Sequence, residues 1–215
     1  VYRILNKLRD CSLVNRVILA IPNTDLDVIL GEVARNIDGI DVVTGSEENL
    51  IQRYQQAYQE FPSDFIIRFP GDNVFPDPHQ IDDLISFHLQ NNRYGFSSNI
   101  ASVFDNKMID GVGAEIFSSA LLKDIKQSNI TSSQIEHLHL NFYDYIKKEA
   151  VHPDITVRAP EPAETFKRPH YALDINTIDQ YGFIRDIFRN VCMIKSNYTT
   201  LDIIEYLDAK DTTNA

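Results

Sequence analysis

From its start to residue 91 the chain alternates short apolar runs of strand length with amphipathic stretches of helix length, and this limits the fold more than any other feature. Val1, Ile4, Leu5 and Leu8 fall at helical spacing, and an apolar run over 16–21 follows, closed by Pro22 and Asn23. The pattern repeats as a helix over 25–37 with Thr24 or Asp25 as its N-cap, a strand over 40–44 and a helix over 47–61. A strand over 64–69 and a helix over 78–91 complete it. Parallel strands need crossover connections of this length, so the pattern predicts an α/β protein with a mainly parallel sheet covered on both faces. Ligands in such sheets bind beyond the carboxyl ends of the strands.

Beyond residue 94 the rhythm shortens. Strands are expected over 94–100 and 114–117, with a helix over 118–127 and a mixed edge region to the sheet. Ile135, Leu138, Phe142, Tyr145 and Ile146 predict a helix over 132–149; strands follow over 155–159 and 170–175, and helices over 177–191 and 200–209. No repeat or linker divides the chain, which predicts one domain over 1–215, and 43% apolar residues suffice for one core.

A formal net charge of -11 argues against binding nucleic acid by neutralising many phosphates. It leaves room for a small anionic substrate if local cations or a metal reverse the field. Cys11 and Cys192, far apart among apolar neighbours, fit a reduced interior rather than a disulfide framework or metal site. No stretch approaches the roughly 20 apolar residues of a membrane span. The expectation is a soluble, cytoplasmic protein without membrane insertion.

The sharpest local motif is Arg68-Phe-Pro-Gly-Asp-Asn-Val-Phe-Pro-Asp-Pro78, which sets Gly71 and Asp72 just past the end of a strand. Glycine lets the backbone approach a ligand, and a carboxylate there is a hard oxygen donor suited to Mg²⁺. The competing reading is a strand-to-helix turn in which Asp72 or Asn73 caps backbone groups. Asp174 ends another short strand and pairs with Asp72 as a candidate metal site. Asp179, in a helix's first turn, is explained by the helix dipole.

Three further segments join this motif: Gly45-Ser-Glu-Glu-Asn-Leu-Ile-Gln-Arg-Tyr54, Asp110-Gly-Val-Gly-Ala-Glu-Ile-Phe117, and Glu136-His137 with Leu173-Asp174 after it. In this order and spacing, over nearly the whole chain, the sequence resembles the spore-coat-polysaccharide branch of the sugar-acid cytidylyltransferases, an acylneuraminate cytidylyltransferase-like group. The resemblance implies a Rossmann-like three-layer α/β/α fold of the glycosyltransferase-A type with a mixed sheet. It implies transfer of CMP from CTP to a sugar acid with release of pyrophosphate. Asp72 and Asp174 would be catalytic and hold Mg²⁺; Ser46, Arg53 and Gly71 would bind the nucleotide; Asp110, Glu115, Glu136 and His137 would border the sugar.

Each assignment has an alternative. Glu115 on a strand could face solvent, Arg53 could pair with Glu47 or Glu48 across a helical turn, and His137 could be a hydrogen-bonded structural histidine. Arg68 could contact phosphate or pair with Asp64. Lys167 and Arg168 read as a solvated loop, with a sugar carboxylate as the other option.

The family's pattern opens with a strand and a glycine- and basic-rich loop around the triphosphate, and neither is present before Val1. The expectation is that 1–215 is part of a longer enzyme, lacks the first strand, exposes unpaired sheet edges and does not turn over CTP alone. A glycosyltransferase using a nucleotide-sugar donor and a non-catalytic sugar-binding or assembly relative are the other readings. A homodimer through the 132–149 helix or the mixed strands is a further expectation.

Overall fold

Alternating side chains in each strand divide between two helical layers. A computed structural model describes residues 1–101, 105–126 and 130–214. In chain order the first elements are α1 (Tyr2–Arg9), β1 (Val17–Pro22), α2 (Val28–Arg35), β2 (Ile40–Gly45), α3 (Leu50–Glu60), β3 (Phe65–Arg68) and α4 (Pro78–Asn91). They are followed by β4 (Phe96–Ser98), β5 (Glu115–Ser118), α5 (Ser119–Asp124), α6 (Ser132–Glu136), β6 (Tyr143–Asp144), β7 (Glu149–Ala150), β8 (Val157–Arg158), α7 (Ile178–Ile187) and α8 (Thr200–Asn214).

One face of the sheet packs against α1, α2 and α4. Leu5 of α1 and Ala34 of α2 cluster with Val17, Leu19, Ile40 and Val42, while Ile81, Leu84 and Ile85 of α4 cluster with Phe65, Ile67 and Ile116. The other face carries α3, α5 and the α6 region, where Ile51, Leu122 and Leu138 cluster with Ile66, Phe96 and Phe117. Residues 66 and 117 thus face away from residues 65, 67 and 116, as a period of two requires. The α/β/α layering expected from the sequence is the layering observed.

The sheet, however, is in two parts. β1 and β2 pair in parallel, from Val17 with Ile40 to Pro22 with Gly45. The larger part has the order β3-β5-β4-β8. In it β5 runs antiparallel to both β3 and β4, and β4 runs parallel to β8. The antiparallel strand is therefore interior, not in the expected mixed edge region. Among the described residues no strand joins β1 to β3, so each has one unpaired edge, as the resemblance implied.

Several boundaries differ from expectation. The helix expected over 25–37 forms only over Val28–Arg35, and neither Thr24 nor Asp25 caps it; Thr24 donates its hydroxyl to Asp27. The helix expected over 132–149 stops at Glu136. A 3-10 turn (Leu138–Asn141) and the β6–β7 hairpin follow it. Asn141 donates its side-chain amide to the carbonyls of Gln134 and Leu138, and the Asp144 carboxylate accepts from the amides of Ile146 and Lys147. These local bonds offer the backbone an alternative to helix. The stretch 170–175 is extended but joins its neighbours only by isolated bridges, and 155–159 shortens to β8. The π-turn Phe188–Cys192 continues α7. Gln127, at the expected end of the 118–127 helix, lies outside the described residues, and α5 ends at Asp124.

Candidate functional site

Three segments meet beyond the carboxyl end of β3. The turn after β3 is closed by Asn73 N–H on Pro70 O at 3.2 Å, and the buried Asn73 side chain donates to Gly113 O at 3.2 Å. The next segment comes alongside: Ile175 N–H donates to Asp72 O at 3.1 Å, and Asn73 and Asp174 form an antiparallel bridge. The third segment of this join is 108–112, where Leu173 N–H donates to Asp110 O and Asp110 N–H to Tyr171 O. Gly111 sits at φ 83°, and a Cβ there would lie 2.4 Å from the Leu173 carbonyl carbon. Only glycine allows both that backbone angle and that approach.

Asp72, Asp110 and Asp174 are thereby brought together. Burial raises the Asp110 carboxyl above its ordinary range, and the charges of Asp174 and Asp72 add to the shift while the Gly111 amide opposes it. Asp174 is oriented by the amides of Asn176 and Gln180. Gly71 is open, with no atom within 4 Å of a Cβ placed there. Among the described residues no group of three or more His, Cys, Asp or Glu side chains is placed to hold a metal ion. The sequence pairs Asp72 with Asp174; that Asp110 comes with them follows from a register the sequence does not show.

A cavity of about 570 Å³ opens at the carboxyl ends of β1 and β2, lined by Asn23, Thr44, Gly45, Ser46, Glu47, Gln52 and Gln56. The Ser46 hydroxyl accepts from Asn49 N–H at 3.0 Å, and Asn49 in turn caps α3 by accepting from Gln52 N–H. Arg53 stands behind Gly45, its Nε buried without a hydrogen-bond partner and its guanidinium pKa lowered by burial. Among the described residues it forms no ion pair with Glu47 or Glu48, the alternative the helix spacing offered.

Glu115 does not face solvent, nor does its carboxylate reach a free surface. It is 1% exposed and is held by Arg68 Nη1 at 2.8 Å, with Tyr145 Oη at 3.5 Å and His139 Nδ1 at 3.4 Å. Arg68 therefore pairs with Glu115 across β3 and β5, not with Asp64. Burial works against its charge, yet the adjacent Glu115 outweighs this and holds the guanidinium pKa above its ordinary value. His137 is exposed at the end of α6, as is Glu136, and its ring stacks on His139 with centroids 5.8 Å apart. His139 was not singled out in the sequence, and Tyr145 was read only as part of an apolar helical face, because both fall in the 132–149 stretch read as helix.

Lys167 and Arg168 are not free in a solvated loop. Lys167 bonds to Glu161 and Glu164, and Arg168 makes a two-point contact with Asp208 of α8. Asp77 is 4% exposed and caps two helices. Oδ1 accepts from the amides of His79 and Gln80 in α4, and Oδ2 from Thr200 N–H at the start of α8.

No known family profile matches the sequence. The chain is 30% identical over 154 residues to the spore coat polysaccharide biosynthesis protein SpsF of Bacillus subtilis, over 70% of this chain. It spans 58% of that protein's length. It is 26% identical over 206 residues to an uncharacterized protein of Methanocaldococcus jannaschii, covering 95% of this chain and 78% of the relative. In structure it matches a cytidylyltransferase from Leptospira borgpetersenii with a TM-score of 0.83 at 23% identity, over 98% of this chain and 83% of the other. A 4-diphosphocytidyl-2C-methyl-D-erythritol synthase from Anaerococcus prevotii matches at TM-score 0.55 and 14% identity, over 87% and 85%. The fold is thus the one shared with these two solved structures. No described helix is long and apolar enough to cross a membrane.

Proposed function

We propose that the polypeptide to which these residues belong transfers CMP from CTP to a sugar acid, releasing pyrophosphate. The observation that carries this reading is the join of the Asp72 and Asp174 segments beyond the end of β3. It places two carboxylates where an α/β sheet delivers ligands. Asp72 and Asp174 would hold Mg²⁺, an ion that takes one or two carboxylates and completes its shell with water and phosphate oxygens. Burial is the main cause of the raised Asp110 pKa, and the smaller share that comes from Asp174 and Asp72 is one that a divalent cation would relieve. Bound there, the ion would supply charge stabilisation at the phosphate oxygens.

The chain's own groups do the rest. The cavity bordered by Gly45, Ser46 and Gln52 accepts the nucleotide. Arg53 behind it offers an unpartnered buried N–H. Asn176 and Gln180 fix the Asp174 carboxylate, so little reorganisation is needed when ligand arrives. His137, Glu136 and Asp110 border the acceptor side. Glu115 supports this region from beneath by anchoring Arg68.

The test uses the full polypeptide. CTP with Mg²⁺ should raise its melting temperature more than ATP or GTP does, since a ligand that binds only the folded state stabilises it. Pyrophosphate release with a sugar acid should fall on the order of 100-fold in Asp72→Asn, with the variant's own melting temperature little changed. Equal responses to all three nucleotides, or release of a nucleoside diphosphate from a nucleotide sugar, would count against the reading.

A further inference from the structure

In the order β3-β5-β4-β8, β8 stands three strand spacings from β3, a lateral distance of about 14 Å from the strand that leads to Asp72. Ile116, Ser97 and Arg158 form one row across β5, β4 and β8. Ile116 clusters with α4, and Ser97 Oγ lies 2.9 Å from Nδ1 of His88 in α4. Arg158 therefore faces the α4 layer, while Val157 packs with Phe96 and Phe142 on the other side. Beside this row a cavity of about 480 Å³ opens between β8, Phe87 of α4 and the loops that carry Lys107 and Lys167. Its volume is that of a small-molecule site. Phe87, Ala159 and Pro160 give it an apolar wall.

The charges around the cavity are only partly matched. Lys167 is taken by Glu161 and Glu164, and Asp105 by Lys148. Among the described residues Lys107 and Arg158 form no ion pair and no side-chain hydrogen bond. Glu164, whose carboxyl pKa is lowered chiefly by its bond to Lys167, feels the charge of Lys107 only as a smaller share. The turn that presents Lys107 is built for the purpose: Asp105 and Lys107 take left-handed backbone, φ 51° and 60°, which such side chains seldom adopt. The buried Asn106 between them holds that geometry by donating to Ile100 O and accepting from Met108 N–H. A guanidinium matches a carboxylate or phosphate with two parallel N–H donors, and a lysine adds a point charge. We propose that this cleft binds a small organic anion, a carboxylate or phosphate carried on an apolar body that lies against Phe87 and Pro160. Asp105 and Glu161 on the same rim work against a triphosphate, so the ligand carries one or two charges.

This inference does not depend on the proposed activity, and its test reads only binding. Phenyl phosphate and benzoate are titrated into the full polypeptide without metal, beside inorganic phosphate and phenol as the matching half-ligands. Calorimetry gives the affinity and amide NMR shifts give the place. At least one whole ligand should bind saturably, shift the resonances of 105–107 and 157–161, and bind about tenfold or more tighter than its halves. The tighter of the two identifies the head group. Arg158→Ala should weaken binding about tenfold or more, Lys107→Ala about threefold or more, and Lys147→Ala, outside the cleft, should leave it unchanged. All three side chains are exposed, so the variants should keep the parent's melting temperature. No saturable binding, equal affinity in Arg158→Ala, half-ligands that bind as tightly as whole ones, or shifts confined to 45–56, 72 and 174 would each overturn the inference.

Discussion

β4 and β5 are buried at every residue, whereas β1 and β3, richer in aliphatic side chains, are mostly only partly buried. Glu115 in β5 is 1% exposed while Leu19 and Ile67 are not buried. Hydrophobicity does not decide this difference. A strand paired on both edges and covered on both faces buries whatever it carries, including a carboxylate if that carboxylate finds partners. A strand with an open edge leaves even isoleucine partly in water.

This contrast can be tested in stages. Phe117→Ala removes a fully buried ring lying 5.0 Å from Phe142, and should lower unfolding stability by about 3–5 kcal/mol in urea titrations. Next comes His88, 0% exposed, whose Nδ1 lies 2.9 Å from Ser97 Oγ on β4. Burial pushes its pKa from 6.5 to about 4, so the fold favours the neutral ring. Its contribution is fully present above the unfolded value and is lost as pH falls through that window toward about 4. His88→Gln should remove about 3 kcal/mol of pH dependence between about pH 7 and about pH 4, seen as a flatter plot of urea midpoint against pH. The smallest effect belongs to β1. Leu19→Ala should cost about 1 kcal/mol, because its side chain is only partly buried. A cost equal to that of Phe117→Ala would show that β1 is as well packed as β5 and would break the comparison.

Much of this was legible in the sequence. The apolar runs and intervening amphipathic stretches located β1, β2 and β3 and the helices between them within a few residues, because a period of two and one of 3.6 are hard to confuse over such lengths. Asp72 was legible as a carboxylate just past a strand, whereas Asp174, read as a strand end, lies on a stretch joined only by single-residue bridges. The 132–149 region was not, although its apolar residues keep helical spacing. There Asn141 and Asp144 bond nearby backbone groups, and Lys148 at φ 58° closes the β6–β7 turn. Turn chemistry of this kind outweighs spacing. The grouping of Asp110 with Asp72, and the pairing of Arg68 with Glu115, depend on how distant segments register against one another. No spacing along the chain encodes that.

Gly111 gives this register a consequence for how the site tolerates change. Main chain lies directly on main chain where it meets Leu173, with no side chain between. The spacing of Asp110 from Asp174 is therefore set by the thickness of two backbones, a quantity that core repacking around Ile184 or Ile203 cannot alter. A single added methyl at 111 would act as a shim between the two acids. Resizing the surrounding core should erode stability while leaving their separation the same.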